Sequence, residues 1–168
     1  DLRCYTLKIM QDIADAQMPN GAIPSIAPQY VVFGGPGLED FLESPEWGST
    51  FVIFPFMYYD AYGDDSIIKK YYHQIRAYVD YLTSRVDNHI VSFGLGDWYD
   101  YGDFKAGFSR NTPVPLVATA HYYMDLTYLI KAAQMVGNTY DVKYYTHLAS
   151  EVNKAFNDKF LDYDKAQY

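Results

Sequence analysis

Two stretches of this sequence repeat one arrangement, and that arrangement narrows the fold more than any other feature. Residues 49–62 (Ser-Thr-Phe-Val-Ile-Phe-Pro-Phe-Met-Tyr-Tyr-Asp-Ala-Tyr) are apolar almost all round and stop at Gly63. Residues 115–136 are nearly uncharged apart from Asp125 and Lys131 and stop at Gly137. Each run gives way to an amphipathic segment, and the two junctions read alike: Gly63-Asp-Asp-Ser-Ile-Ile-Lys-Lys-Tyr-Tyr72 against Gly137-Asn-Thr-Tyr-Asp-Val-Lys-Tyr-Tyr145. A helix that is apolar on every side needs neighbours on every side, whereas a helix with one apolar stripe needs water on the other. Two concentric layers produce that alternation. The expected fold is all-α, a two-ring barrel or toroid, with a linear helical-repeat solenoid as the alternative.

Three amphipathic helices complete the expected set. Leu2, Tyr5, Ile9, Ile13 and Ala16 recur at helical steps and outline a first helix ending near Pro19-Asn20-Gly21. Ile67, Tyr71, Ile75, Tyr78 and Leu82 give the second, to about Arg85, with Lys69, Lys70, Gln74 and Arg76 off the stripe. Val142, Tyr145, Leu148, Val152, Ala155 and Phe160 give the third. Ser49 or Thr50, Asp64 or Asp65, and Thr139 or Asp141 are the expected starts, as is Thr112 before Pro113 and Pro115. A buried strand competes for residues 49–62, where Pro55 falls inside the run; its length and its stop at Gly63 favour a helix. Ile90–Phe93 reads as a short strand, and residues 103–111 as loop.

Long loops precede both uniformly apolar helices. Residues 20–44 are broken by Pro24, Pro28, Pro36 and the Gly34-Gly35 pair, yet Ile23, Ile26, Tyr30, Val31, Val32 and Phe33 predict a packed loop. Residues 88–111 contain Gly94-Leu-Gly-Asp-Trp-Tyr-Asp-Tyr-Gly102, where glycines allow sharp turns that can aim carboxylates into a cavity. In a two-ring fold both loops open at one end, where a cleft belongs. The chain's two tryptophans sit one in each loop, beside acids, in Glu46-Trp47-Gly48 and Asp97-Trp98-Tyr99. An indole stacks on the C–H face of a sugar while carboxylates take its hydroxyls. Hydrolysis of a glycoside needs two carboxyl groups, and Glu46, Asp97, Asp100 and Asp103 are the candidates by position. For Glu46 and Asp103 the competing reading is a solvated loop acid.

Other classes find little support. With 13 basic and 21 acidic residues the formal charge is -8, which argues against a nucleic-acid partner. No apolar run reaches the roughly 18 residues of a membrane span. Ser49 and Ser92 lack a histidine pattern, and no Gly-x-Ser-x-Gly elbow occurs. His73, His89, His121 and His147 are scattered, so neither a metal site nor a cofactor is expected. The single cysteine, Cys4, excludes an internal disulfide and leaves the compartment open. The 19 tyrosines suit sugar clefts and helix interfaces alike, the interface being the weightier reading.

Taken in series, these features resemble the catalytic domain of bacterial α-L-rhamnosidases of glycoside hydrolase family 78. The series is Asn20-Gly-Ala-Ile-Pro24, Trp47-Gly48 leading to Pro55-Phe56, Tyr62-Gly-Asp64, Tyr78 to Leu82, Gly96-Asp-Trp98 and Thr119-Ala-His-Tyr-Tyr123. The resemblance implies part of an (α/α)6 barrel, or six-hairpin toroid. Residues 1–168 would be a single partial domain of about five helices in alternating inner and outer layers. It further implies inverting hydrolysis of terminal α-L-rhamnosides, with a rhamnose-containing glycoside or polysaccharide as partner. Trp47 and Trp98 become aromatic walls of the sugar pocket and Asp97 a hydroxyl acceptor. Where the family often reads Trp-Gly-Asp, this chain has Ser49 after Trp47-Gly48. The family's general acid and base belong to segments outside these residues, so no catalytic residue is expected here. The chain opens without a secretory signal and stops without a terminator, so a piece of a longer protein is expected, inactive alone and prone to self-association. Another (α/α) barrel glycosidase and a non-catalytic helical scaffold or sugar-binding module are the alternative readings.

Overall fold

The computed structural model describes residues 1–33 and 36–168; the Gly34-Gly35 pair of the first long loop lies outside the described residues. In chain order the helices are α1 (Arg3–Ala16), α2 (Pro45–Gly48), α3 (Thr50–Tyr62), α4 (Ser66–Ser84), α5 (Val114–Met135) and α6 (Thr139–Phe160). Between α4 and α5 lies one antiparallel hairpin, β1 (Asp100–Gly102) with β2 (Phe104–Gly107). The five long helices are those predicted from periodicity. The uniformly apolar α3 and α5 lie side by side, α1 and α4 pack on α3, and α4 and α6 pack on α5. The amphipathic helices therefore form an outer layer over an inner pair. Both inner helices run out into a left-handed glycine, Gly63 and Gly137.

The core between the layers is made by Phe51, Val52 and Phe56 of α3, the stripe Ile67, Tyr71, Ile75, Tyr78 and Leu82 of α4, and Tyr122, Leu126 and Leu129 of α5. Burying each such side chain contributes roughly 1.5–3 kcal/mol. Gly21, inside the Asn20–Pro24 stretch, fixes the approach of the α1 exit to α4. Its φ is 93°, and a Cβ built there would lie 2.3 Å from the Ala77 carbonyl oxygen. No residue with a side chain fits that contact without moving backbone.

The outer helices are tied by phenols. Tyr72 of α4 donates to Asp141 of α6, and Tyr145 of α6 donates back to Asp80 of α4 at 2.6 Å. The Arg76 guanidinium lies 3.4 Å from Asp141 and 3.5 Å from Asp80. Tyr71 donates to Gln11 of α1 at 3.0 Å. Burial raises the Tyr72 and Tyr145 hydroxyls above the ordinary phenol range, and the adjacent carboxylates raise them further. These tyrosines serve helix interfaces, the weightier of the two readings.

Several local expectations need correction. In α1 the buried line is Thr6, Met10 and Ile13, while Leu2 and Tyr5 are 64% and 65% exposed, so the helix is rotated from the stripe that periodicity outlines. The inner helices are not buried all round, since Met57 is 58% exposed and Lys131 faces solvent. Among the described residues, α3 packs on α1, α2, α4 and α5, and the side that carries Met57 is open. Ser49 stands at the N-cap position of α3 as expected, but its hydroxyl makes no capping bond and turns inward to the Pro45 carbonyl. Asn138 caps α6 by accepting the Asp141 N–H at 3.1 Å, and Asp141 itself is buried. Ile90–Phe93 forms no strand: the Val91 N–H donates to the Thr119 hydroxyl of α5 at 3.0 Å instead. The hairpin falls within residues read as loop, and only two short strands make it.

Candidate functional site

The two tryptophan segments meet at one end of the layers. Trp47 lies on α2, the single turn that Pro45 starts and that feeds α3. Trp98 follows the buried Gly94-Leu95-Gly96 segment and precedes the hairpin. Phe41, in a 3-10 turn at Glu39–Phe41, stands between them. Its ring centroid is 6.3 Å from Trp47 and 5.1 Å from Trp98, edge-on to both. Phe33 and Phe108 close the cluster at 5.7 and 5.5 Å from Phe41, and Phe108 also meets Trp98 at 5.4 Å. Edge-to-face contacts of this kind are worth about 0.5–1.5 kcal/mol each beyond burial. Both indoles remain half-buried, so each keeps surface for a ligand. A cavity of about 280 Å³ beside Trp47 is lined by Ile9, Ile13, Ile23, Pro24 and Phe51 among others; Trp98 does not line it.

The four acids have different fates. Asp97 is exposed and has no hydrogen-bond partner among the described residues. Asp103 is exposed at the hairpin turn, as a solvated loop acid would be. Asp100 is not aimed into a cavity. It is buried, and its carboxylate accepts the backbone N–H groups of Asn111 and Arg110 at 2.7 Å each, the Asn111 side chain at 2.6 Å and its neighbour Tyr101 N–H at 2.8 Å. Those donors, led by the Asn111 and Arg110 backbone, hold its pKa below the usual aspartate value. Glu46 is not solvated either: it accepts from the Ser44 hydroxyl and from Gly96 N–H, the latter at 3.1 Å. Of the four acids, Glu46 and Asp100 are thus engaged by the chain's own donors, while Asp97 and Asp103 are exposed; among the described residues no group of three or more His, Cys, Asp or Glu is placed to hold a metal ion.

A lowered folded pKa makes the Asp100 contribution complete above the ordinary aspartate value of about 3.9 and lost as pH falls through the folded value. Acid titration followed by tryptophan emission should therefore show a step below pH 4 that Asp100→Asn abolishes. A step of unchanged size in the variant assigns it to another group.

Behind Trp47 lies a buried polar contact. The Ser49 hydroxyl is 2.7 Å from both the Pro45 carbonyl and the Asp125 carboxyl. The hydroxyl has one proton and offers it to both acceptors. Burial drives the Asp125 pKa well above the usual aspartate value. Ser49 thus ties the start of α3 to the inner helix α5. Periodicity could not find Phe41 or Ser44; the only signal for Phe41 was the aromatic content of an otherwise broken loop.

A sequence model of the bacterial alpha-L-rhamnosidase 6 hairpin glycosidase domain matches residues 1–168. An alpha-L-rhamnosidase of Streptomyces avermitilis is 27% identical over 161 residues, covering 95% of this chain and 14% of the relative. One from Alteromonas sp. is 29% identical over 125 residues, covering 72% and 14%. The structure of an alpha-L-rhamnosidase from Dictyoglumus thermophilum superposes with a TM-score of 0.85 at 29% identity, over 97% of this chain and 17% of that one. The Streptomyces avermitilis enzyme complexed with L-rhamnose superposes with a TM-score of 0.81 at 26% identity, over 97% and 14%. The chain thus spans about one seventh of the length of these two curated relatives.

Proposed function

Because the chain belongs to the bacterial α-L-rhamnosidase six-hairpin glycosidase family, we propose that it forms one sector, a single partial domain, of a barrel that hydrolyses terminal α-L-rhamnosides. The fold is the corresponding part of an (α/α)6 barrel. The observation that supports the activity most is the convergence of Trp47 and Trp98 on Phe41 at one end of the layers, with the exposed Asp97 next to Trp98 in the chain. The indoles offer flat apolar walls to the C–H face of a deoxy sugar, and Asp97 accepts from its hydroxyls. The relative solved with L-rhamnose is similar to this chain over almost all of its length.

Catalysis needs a protonated carboxyl at the glycosidic oxygen and a carboxylate that activates water, about 6.5–9.5 Å apart in an inverting enzyme. Glu46 and Asp100 are engaged by the chain's own donors, and the family resemblance implies an acid and a base in segments outside these residues. This sector holds the sugar and needs no cofactor. The open side of α3 and α5 is covered by further helices of the same barrel.

The test is hydrolysis of a panel of nitrophenyl glycosides by the full-length protein, together with L-rhamnose binding. Turnover of the α-L-rhamnoside alone is expected, and Trp98→Ala should weaken rhamnose binding about thirtyfold, roughly 2 kcal/mol. Preferred turnover of a glucoside or uronide overturns the substrate, and unchanged rhamnose affinity in the variant overturns the site.

A further inference from the structure

Three successive residues before Trp98 are held by three successive residues before Trp47. Gly94 presses on Pro45 and Glu46: a Cβ there would lie 2.8 Å from both Pro45 Cδ and Glu46 Oε2, and its φ is 122°. The Leu95 N–H donates to Ser44 Oγ at 3.1 Å. The Gly96 N–H donates to Glu46 Oε1 at 3.1 Å, while the Ser44 hydroxyl donates to Glu46 Oε2. The contact is anchored on both sides, since Leu95 is fully buried and the Ser44 N–H donates to Ser25 Oγ at 3.1 Å. The carboxylate of Glu46, the residue next to Trp47, thus bonds the Gly96 backbone two residues before Trp98 and the Ser44 side chain of its own segment.

We propose that Glu46 is a positioning residue that sets the two indoles against each other across Phe41. This rests on the reading that Trp47 and Trp98 wall the sugar pocket. Both carboxylate oxygens already accept from the chain, so Glu46 cannot also work as the acid or base. Its effect on a sugar passes through the spacing of the two rings. Small displacements of such walls carry large penalties in affinity.

The test compares Glu46→Ala and Glu46→Gln in the full-length protein by near-UV circular dichroism and by L-rhamnose titration. Glu46→Ala leaves the Gly96 N–H and the Ser44 hydroxyl without their acceptor. It should lose the indole fine structure and bind rhamnose about tenfold more weakly or worse, with far-UV helicity unchanged. Glu46→Gln keeps an amide oxygen for Gly96 and should recover most of both signals. Gly94→Ala reaches the same contact from the opposite strand and should reproduce the alanine result, which covers the case of a Glu46→Ala protein that does not fold. Native indole bands and native affinity in both alanine variants overturn the proposal. If the wild-type protein itself does not bind rhamnose, the sugar reading fails, and the indole bands alone still decide whether Glu46 positions the rings.

Discussion

Gly21→Ala is expected to lower stability by about 3 kcal/mol or more, shifting the urea midpoint followed by far-UV circular dichroism. Two costs combine. A non-glycine residue at φ 93° is strained, and the added methyl would sit 2.3 Å from the Ala77 carbonyl oxygen and 2.9 Å from its carbonyl carbon. Those atoms belong to the middle of α4, whose own helical bonding resists movement. Gly63→Ala is the control, because Gly63 has a φ of 67° with nothing within 4 Å of the built Cβ. It should cost only about 1 kcal/mol, the conformational part. Equal losses in the two variants would show that α4 yields and that the close approach carries no energy of its own.

Asp125→Asn should flatten the dependence of stability on pH. Asp125 is fully buried with its pKa raised by burial, so the folded chain retains a proton that the unfolded chain gives up above about pH 4. Its contribution is complete below the unfolded value and is lost as pH rises toward the folded one. The wild-type chain should therefore lose up to about 1.4 kcal/mol per pH unit in that interval from this residue. Asparagine keeps an oxygen for the Ser49 hydroxyl to donate to and has no proton to lose in this range. The variant should match the wild type at pH 5 more closely than at pH 8, and be the more stable at the higher pH. Parallel profiles for both proteins across this range would mean that Asp125 is ionised in the fold.

Much of the architecture was legible because helices declare themselves by period. The α4 stripe from Ile67 to Leu82 is buried residue for residue, and the two runs stopped by Gly63 and Gly137 are the inner helices. The α1 stripe misled because Leu2 and Tyr5 are apolar but exposed, while Thr6 is polar and buried. The meeting of Trp47 and Trp98 followed from the two-layer idea alone. What periodicity could not supply were the partners. Glu46 and Asp100 look like free acids in a loop because several of their donors are backbone N–H groups, at Gly96 and at Arg110 and Asn111, which have no signature in side-chain identity. Phe41 escaped for a related reason: it is one aromatic among several in a loop without repeat.

The crossed pair Tyr72–Asp141 and Tyr145–Asp80 sets the register of the outer helices in steps. Each helix gives one donor and one acceptor, so sliding α6 along α4 lengthens both bonds together. No partial shift keeps either, and the next comparable alignment is a full turn away, about 5.4 Å along the axis. Slippage is thus an all-or-none event that leaves the Asp141 carboxylate, buried at the interface, facing no phenol. Any breathing of this wall must take the form of hinging at its ends, because the helices cannot shear past one another by small amounts.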